Sequence, residues 1–240
     1  MTGIFIIGTD TGIGKTVVAA GLAGVFNSEG LNVGVMKPVG TGGVPFNDRL
    51  ISPDALFMCA AASVPVEPDL VNPYCYELPA APSVASRGQE PVKFEIIRQR
   101  FDTLSERHDI VLVEGVGGLM VPLSEDLMLP DLVRALNLPV LIVARIGLGT
   151  INHSLLTIQS ARAAALNVIG FVMNRHETGE MGLVEQTNPS IVSKFGNVPP
   201  LGIVEQGEGI DVDACRLGNT IEIVRRGVEW EKILALLKEA

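Results

Sequence analysis

Residues Gly8–Thr16 read GTDTGIGKT and follow directly on the apolar run Ile4–Ile7. A short strand, a glycine-bearing turn and a Lys-Thr pair opening an apolar helix form an arrangement that cradles phosphate groups. Backbone N–H groups of the turn and of the helix start point at the anion, and the helix dipole adds to their pull. Lys15 can then reach the terminal phosphates, and the Thr16 hydroxyl can ligate Mg²⁺. Five residues separate Gly8 from Gly14, one more than the usual phosphate loop. A strand before the turn, a helix predicted over Lys15–Asn27 and Gly30 closing that helix favour phosphate binding over a ligand-free turn.

Strand-like and helical runs alternate outward from this loop. Ile4–Gly8, Asn32–Lys37, Asp109–Glu114, Pro139–Ala144, Val168–Asn174 and Leu201–Val204 read as buried strands, because their Val, Ile and Leu content is nearly continuous. Helices are predicted over Lys15–Asn27, Ser52–Ala62, Lys93–Arg107, Pro130–Leu136, Thr150–Ala165, Gly182–Phe195 and Val228–Lys238, with Thr150 or Asn152 capping the fifth. The alternation implies an α/β fold, a doubly wound and mostly parallel sheet flanked by helices. The chain of 240 residues, 47% apolar, suffices for one core, so residues 1–240 are expected to form a single domain. Val64–Pro82 and Val204–Gly218 are expected to be long surface connections.

A net charge of −9 and the absence of a basic stripe argue against a nucleic-acid partner. No apolar run reaches the length of a membrane span, and Met1–Gly3 leads straight into a strand, so a cytoplasmic protein without signal peptide is expected. Cys59, Cys75 and Cys215 lack metal-ligand spacing and read as inert thiols. No HExxH, CxxC or GxSxG occurs, and His108, His153 and His176 fall in no catalytic pattern, which leaves zinc and serine hydrolases without support.

In a doubly wound sheet, ligands collect at the carboxyl ends of the strands. Lys37 follows the second strand on the same face as Val33 and Val35, where it is either a solvated terminal lysine or a second cation for phosphoryl charge. Glu114 ends the apolar run Asp109–Val113, the place where phosphate-loop enzymes hold a Mg²⁺ ligand, and Gly115 and Gly117 let a ligand approach the backbone. Asp54 stands in a first helical turn, which an acid favours with or without a metal.

Taken in order, these motifs resemble the ATP-dependent dethiobiotin synthetases. GTDTGIGKT is similar to their extended phosphate loop and KPVGTG from Lys37 to their lysine loop, with Asp54 at the expected interval. VNPYCYELPAAPSVAS from Val71, VEGVGGLMVPL from Val113 and LGTINHSLLT from Leu148 extend the resemblance over most of residues 1–174. The resemblance implies Mg²⁺ held by Thr16, Asp54 and Glu114, and catalysis by Lys15, Lys37 and Thr11. It implies ATP bound along Gly12, Ile13, Gly14, Lys15, Thr16, Val17, Gly115, Val116 and Gly117, with Asn174 and Arg175 near the base. The substrates implied are 7,8-diaminopelargonic acid and CO₂ or bicarbonate. Thr41 would meet the diamine end, the stretch near Pro73 and Pro82 would wall the chain, and the amides of Gly149, Thr150, Ile151 and Asn152 would meet the carboxylate from a neighbouring subunit of a homodimer. Gly12 stands where many relatives carry Glu, and Asn174-Arg175 replaces an Asn-Asp pair, which leaves the choice of base open.

Two other readings share the loop. A nucleotide-switch ATPase of the partitioning or septum-placement type usually carries an earlier loop lysine, and Thr9-Asp10-Thr11 has none. A cobyrinate-type amidating ligase appends a glutaminase domain, for which this length leaves no space.

Overall fold

The computed structural model describes residues 3–175 and 178–239. Its strands are β1 Gly3–Gly8, β2 Val33–Met36, β3 Val39–Thr41, β4 Val44–Phe46, β5 Arg49–Ile51, β6 Tyr74–Tyr76, β7 Ile110–Glu114, β8 Val140–Arg145, β9 Val168–Asn174 and β10 Pro200–Val204. Its helices are α1 Lys15–Ser28, α2 Pro53–Ala62, α3 Pro68–Val71, α4 Pro82–Ala85, α5 Phe94–Arg107, α6 Leu129–Leu136, α7 Thr150–Ala163, α8 Leu183–Gly196, α9 Thr220–Gly227 and α10 Trp230–Glu239. Six strands form one parallel sheet in the order β10-β9-β8-β1-β7-β2. The six strands and seven helices expected from the sequence are all present, their ends shifted by at most two residues.

Strand alternation divides the core in two. Ile4 and Ile6 of β1 face a cluster with α1, α2, α9 and α10, while Phe5 and Ile7 face a second cluster with α5, α6, α7 and α8. Each fully buried side chain of this kind contributes about 1.5–3 kcal/mol, so the two clusters hold the strand ends in fixed register. Strand order reverses around β1, since β7 lies on one side of it and β8 on the other. The crevice at the carboxyl ends of β1 and β7 is therefore the expected ligand position.

One expected surface connection is corrected. Val64–Pro82 contains α3 and β6, and β6 pairs in parallel with β3. Leu70, Val71, Asn72, Tyr74 and Tyr76 in it are buried, because the segment lies against Lys37–Thr41 and not in solvent. A hairpin of β4 and β5 and the helix α9 also go beyond the sequence reading. The second connection, after Val204, is largely exposed as expected, although Ile210, Val212 and Leu217 rest on the core.

Candidate active site

The phosphate loop takes its shape from two glycines. Gly12 (φ +71°) and Gly14 (φ +85°) adopt left-handed conformations that a side chain would strain. Gly14 is the residue before α1, and no side chain caps that helix, so its first amides face the cleft. The Lys15 ammonium folds back onto the Asp10 carbonyl at 3.0 Å. Thr11 is exposed, and its amide donates to Asp10 Oδ1 at 2.7 Å.

Four groups converge beneath the loop. Val33 and Val35 face the α1–α2 side, so the alternation sends Lys37 there; Leu112 likewise sends Glu114 to the same side. The Lys37 ammonium lies 2.6 Å from Asp54 Oδ2 and 2.9 Å from Glu114 Oε1, and it donates to the Gly115 carbonyl at 3.1 Å. Thr16 donates its hydroxyl to Glu114 Oε1 at 2.9 Å. Lys37 is only 3% exposed, so it is no solvated terminal lysine.

Burial and pairing set the charges. Burial opposes the Lys37 ammonium, yet Asp54 and Glu114 outweigh it and hold Lys37 above the usual lysine range. Burial also opposes the Asp54 carboxylate, but Lys37 and the Thr16 hydroxyl carry it below the carboxylate range. Glu114 is pushed upward by burial, which exceeds the pull of Lys37. Burial, aided by Lys37, lowers Lys15 to about 8. An anion placed beside Lys15 would offset both causes of its lowering.

The donor set suits a hard cation. Glu114 Oε2 is buried and has no hydrogen-bond partner among the described residues, with Thr16 Oγ1 and the Asp54 carboxylate close by. No group of three or more His, Cys, Asp or Glu gathers among the described residues. A Mg²⁺ site needs only one or two carboxylates, a hydroxyl and substrate phosphates, and these residues supply the protein's share.

A cleft of about 660 Å³ opens over this cluster. Of the residues singled out from sequence, it brings together Thr11, Gly12, Gly14, Lys15, Thr16, Val17, Lys37, Thr41, Asp54, Glu114, Val116 and Gly117. Ile13 is buried behind the loop, and its carbonyl accepts a hydrogen bond from Asn174 at 3.0 Å. Gly115 meets the site through its carbonyl. Arg175 does not line the cleft; it is engaged by Glu185 and Glu205. Nor do Gly149, Thr150, Ile151 and Asn152 line it within this chain. Neither Thr150 nor Asn152 caps α7: Gly149 (φ +90°) precedes the helix, and the Thr150 hydroxyl turns to the Arg145 carbonyl. Pro82 is in the wall, and Pro73 belongs to a separate shallow cleft with Tyr74 and Tyr76. His108 bonds the Leu104 carbonyl, His153 is exposed, and His176 lies outside the described residues.

Pro79–Ala81, in the stretch near Pro82 expected to wall the chain, line the cleft with Pro82. Sequence reasoning missed three other parts of the site: Val121 in that wall, Val212 with Asp213 in another, and Asn72 behind the lysine loop. Asn72 is wholly buried; its Nδ2 donates to the Lys37 carbonyl at 2.7 Å and its Oδ1 accepts from the Ser52 amide at 2.8 Å. It ties the lysine loop to the start of α2, which carries Asp54. Its only signal in the sequence is an Asn-Pro step at 72–73, which reads as a turn.

The family described as AAA domain matches residues 2–212. Among curated proteins, the chain is 40% identical to the ATP-dependent dethiobiotin synthetase BioD of Thermodesulfovibrio yellowstonii, over 84% of this chain and 88% of the relative. It is 39% identical to that of Bacillus licheniformis, over 87% of each, and 38% identical to that of Methanocaldococcus jannaschii, over 88% and 97%. Among solved structures, the MinC:MinD cell division protein complex of Aquifex aeolicus aligns with a TM-score of 0.59 at 12% identity, over 94% of this chain and 95% of that one. The septum site-determining protein MinD of Pyrococcus horikoshii, complexed with Mg-ADP, aligns with a TM-score of 0.55 at 14% identity, over 100% and 96%. Identities this low establish the phosphate-loop fold and carry nothing further.

Proposed function

The chain belongs to the ATP-dependent dethiobiotin synthetase family, and from that premise we propose how its own residues carry the reaction. It is an ATP-dependent ligase that makes dethiobiotin, the family's activity; 7,8-diaminopelargonic acid, CO₂ and ATP are its substrates. One amine takes up CO₂ as a carbamate, the carbamate oxygen attacks the γ-phosphate, and the second amine closes the ring and expels phosphate.

The observation that carries this reading is the convergence of Lys15, Lys37, Asp54, Glu114 and Thr16 under a glycine-shaped loop. The loop amides and the start of α1 bind the triphosphate. Lys15 leaves the Asp10 carbonyl for the β- and γ-phosphates, and Lys37 stands where charge grows on the transferring group, a role for preorganised cations. Thr16, Asp54 and Glu114 hold Mg²⁺, which supplies further charge neutralisation when bound. Thr41 and the wall Pro79–Pro82 orient the diamine, so that both nucleophiles are held near their targets. Thr11, Gly12, Ile13, Gly14 and Val17 shape the phosphate end and Val116 and Gly117 its floor, with Asn174 as buttress. The amides at Gly149–Asn152 serve the substrate carboxylate of the neighbouring subunit in a homodimer, a reading supported by their absence from the lining of the chain's own cleft. We further propose that residues 1–240 work as one domain, without nucleic acid or membrane. Among the described residues no helix is long and apolar enough to cross a membrane.

Incubation of the protein with the diamine, bicarbonate, Mg²⁺ and ATP should yield a product heavier than the diamine by one carbonyl less two hydrogens, with one ADP and one phosphate released per ring. ATP turnover without that product would refute the reading.

A further inference from the structure

Arg175 is a buried cation that the mechanism above does not use. It follows Asn174 at the end of β9, and strand alternation sends the two side chains to opposite faces. Asn174 turns to the phosphate loop. Arg175 turns to the α8 face, where it is 5% exposed. Its Nε donates to Glu185 Oε1 at 3.2 Å, and its Nη1 donates to Glu205 Oε2 at 2.9 Å and to the Gly179 carbonyl at 2.8 Å.

Glu205 is the first residue after β10 and the root of the connection 205–219. That connection is closed on itself. The Glu208 amide donates to Asn219 Oδ1 at 2.7 Å, and the Asn219 amide donates to the Glu208 carbonyl at 3.2 Å. Asp211 and Arg216 exchange two backbone hydrogen bonds and add an ion pair at 2.7 Å. A Cβ at Gly218 (φ +50°) would lie 2.1 Å from the Glu208 carbonyl, so the closure leaves no slack. A compact loop of this kind, with its ends close together and packed by its own side chains, takes its placement from its roots. Its tip, Val212 and Asp213, lines the cleft.

We propose that Arg175 is a positioning residue for the nucleotide site: by gripping Glu205 it fixes the closed loop 205–219 and so places Val212 and Asp213 against the bound nucleotide. A buried guanidinium is suited to this, since its planar fork is already organised and loses little freedom per hydrogen bond. The second arm, to Glu185, reaches α8, which contributes nothing to the cleft wall. The two arms therefore separate positioning of the site from plain stability. The inference rests on the nucleotide reading above.

Calorimetric titration with Mg²⁺–ATP tests it. Glu205→Gln and Arg175→Lys should each raise the dissociation constant roughly three- to tenfold, the size of effect a relay residue exerts without touching ligand. In steady-state assays KM for ATP should rise by more than kcat falls. Glu185→Gln should lower the thermal midpoint yet leave nucleotide affinity at the wild-type value. Equal weakening by Glu185→Gln and Glu205→Gln would overturn the proposal, as would wild-type affinity in both Glu205→Gln and Arg175→Lys. A wild-type protein that takes up no nucleotide would overturn this inference and the function above together, a result distinct from either.

Discussion

Lys37 is a lysine that the structure treats as part of its core. It is 3% exposed and paired with both Asp54 and Glu114, so its ammonium neutralises two carboxylates that are otherwise driven together by the fold. Lys37→Gln should therefore cost more than catalysis. Removing one member of a buried ion pair costs about 3–5 kcal/mol, and the lower end applies because Asp54 is 31% exposed and its charge is partly solvated by water. Ring closure should cease, and the urea midpoint should fall; added Mg²⁺ should restore part of the lost stability by replacing the missing cation. A variant with wild-type stability would show that the two acids do not need Lys37. Lys15 is predicted to behave in the opposite sense. Its pKa is about 8 in the folded chain, against 10.5 ordinarily. Between those values the unfolded chain binds the extra proton, so stability rises with pH there, by up to about 1.4 kcal/mol per pH unit, and the full cost applies below 8. Urea titrations at pH 8, 9 and 10 should show wild type gaining on Lys15→Met; parallel curves would refute it. Lys37, shifted upward, keeps its contribution until the pH exceeds 10.5.

At the level of helices, α1 shows how sequence choices serve the site. Its glycines weaken a helix intrinsically, yet a Cβ on Gly21 would sit 2.3 Å from Val224 Cγ2 and 2.6 Å from Val224 Cβ, and one on Gly24 2.5 Å from Ile221 Cδ1. The helix that presents Lys15 and Thr16 is thus held against α9 by the absence of side chains. Gly21→Ala gains about 1 kcal/mol in helix propensity but overpacks a buried contact, at about 1–3 kcal/mol. The branch point of Val224 cannot swing aside, so the net effect should be a loss of about 1 kcal/mol; a raised thermal midpoint would reverse that judgement. This packing was not legible beforehand, because α9 is eight residues long and its partner glycines give no periodic signal. The six sheet strands were legible, since Val- and Ile-rich runs such as Ile110–Val113 have few other uses. So was the shared face of Val33, Val35 and Lys37. Asp54 was legible only through the family resemblance, because the meeting of α2 with β2 and β7 is a tertiary fact, and an acid in a first turn explains itself locally. Val64–Pro82 misled for a related reason: its prolines mark turns, while burial of Asn72 and Tyr74 depends on where Lys37–Thr41 lies. Val212 and Asp213 reach the cleft because their loop folds back onto the core, another tertiary fact.

For the molecule as a whole, the decisive question is whether one chain makes a complete site. The cleft has its phosphate loop, the oxygens of Thr16, Asp54 and Glu114 and its proline wall within one chain, but the start of α7 is absent from it. Ile151 and Asn152 follow Gly149 at an uncapped helix start, which favours anions, and Leu148 beside them is 90% exposed. In the proposed homodimer with two shared sites these amides would reach the partner's cleft, and symmetry would then require that each chain gives and receives one helix start. Complementation tests this without any assumption about affinity. Asn152→Glu places a carboxylate at an exposed helix start and should repel the substrate carboxylate, while Lys37→Gln disables the phosphate end. Each variant alone should be inactive. Mixed in equal amounts and allowed to exchange, half of the dimers carry one of each chain. In those, one site holds both defects and the other holds neither, so about a quarter of wild-type activity should return. If the start of α7 served the cleft of its own chain, every site in the mixture would carry one defect, and no activity would reappear at any mixing ratio.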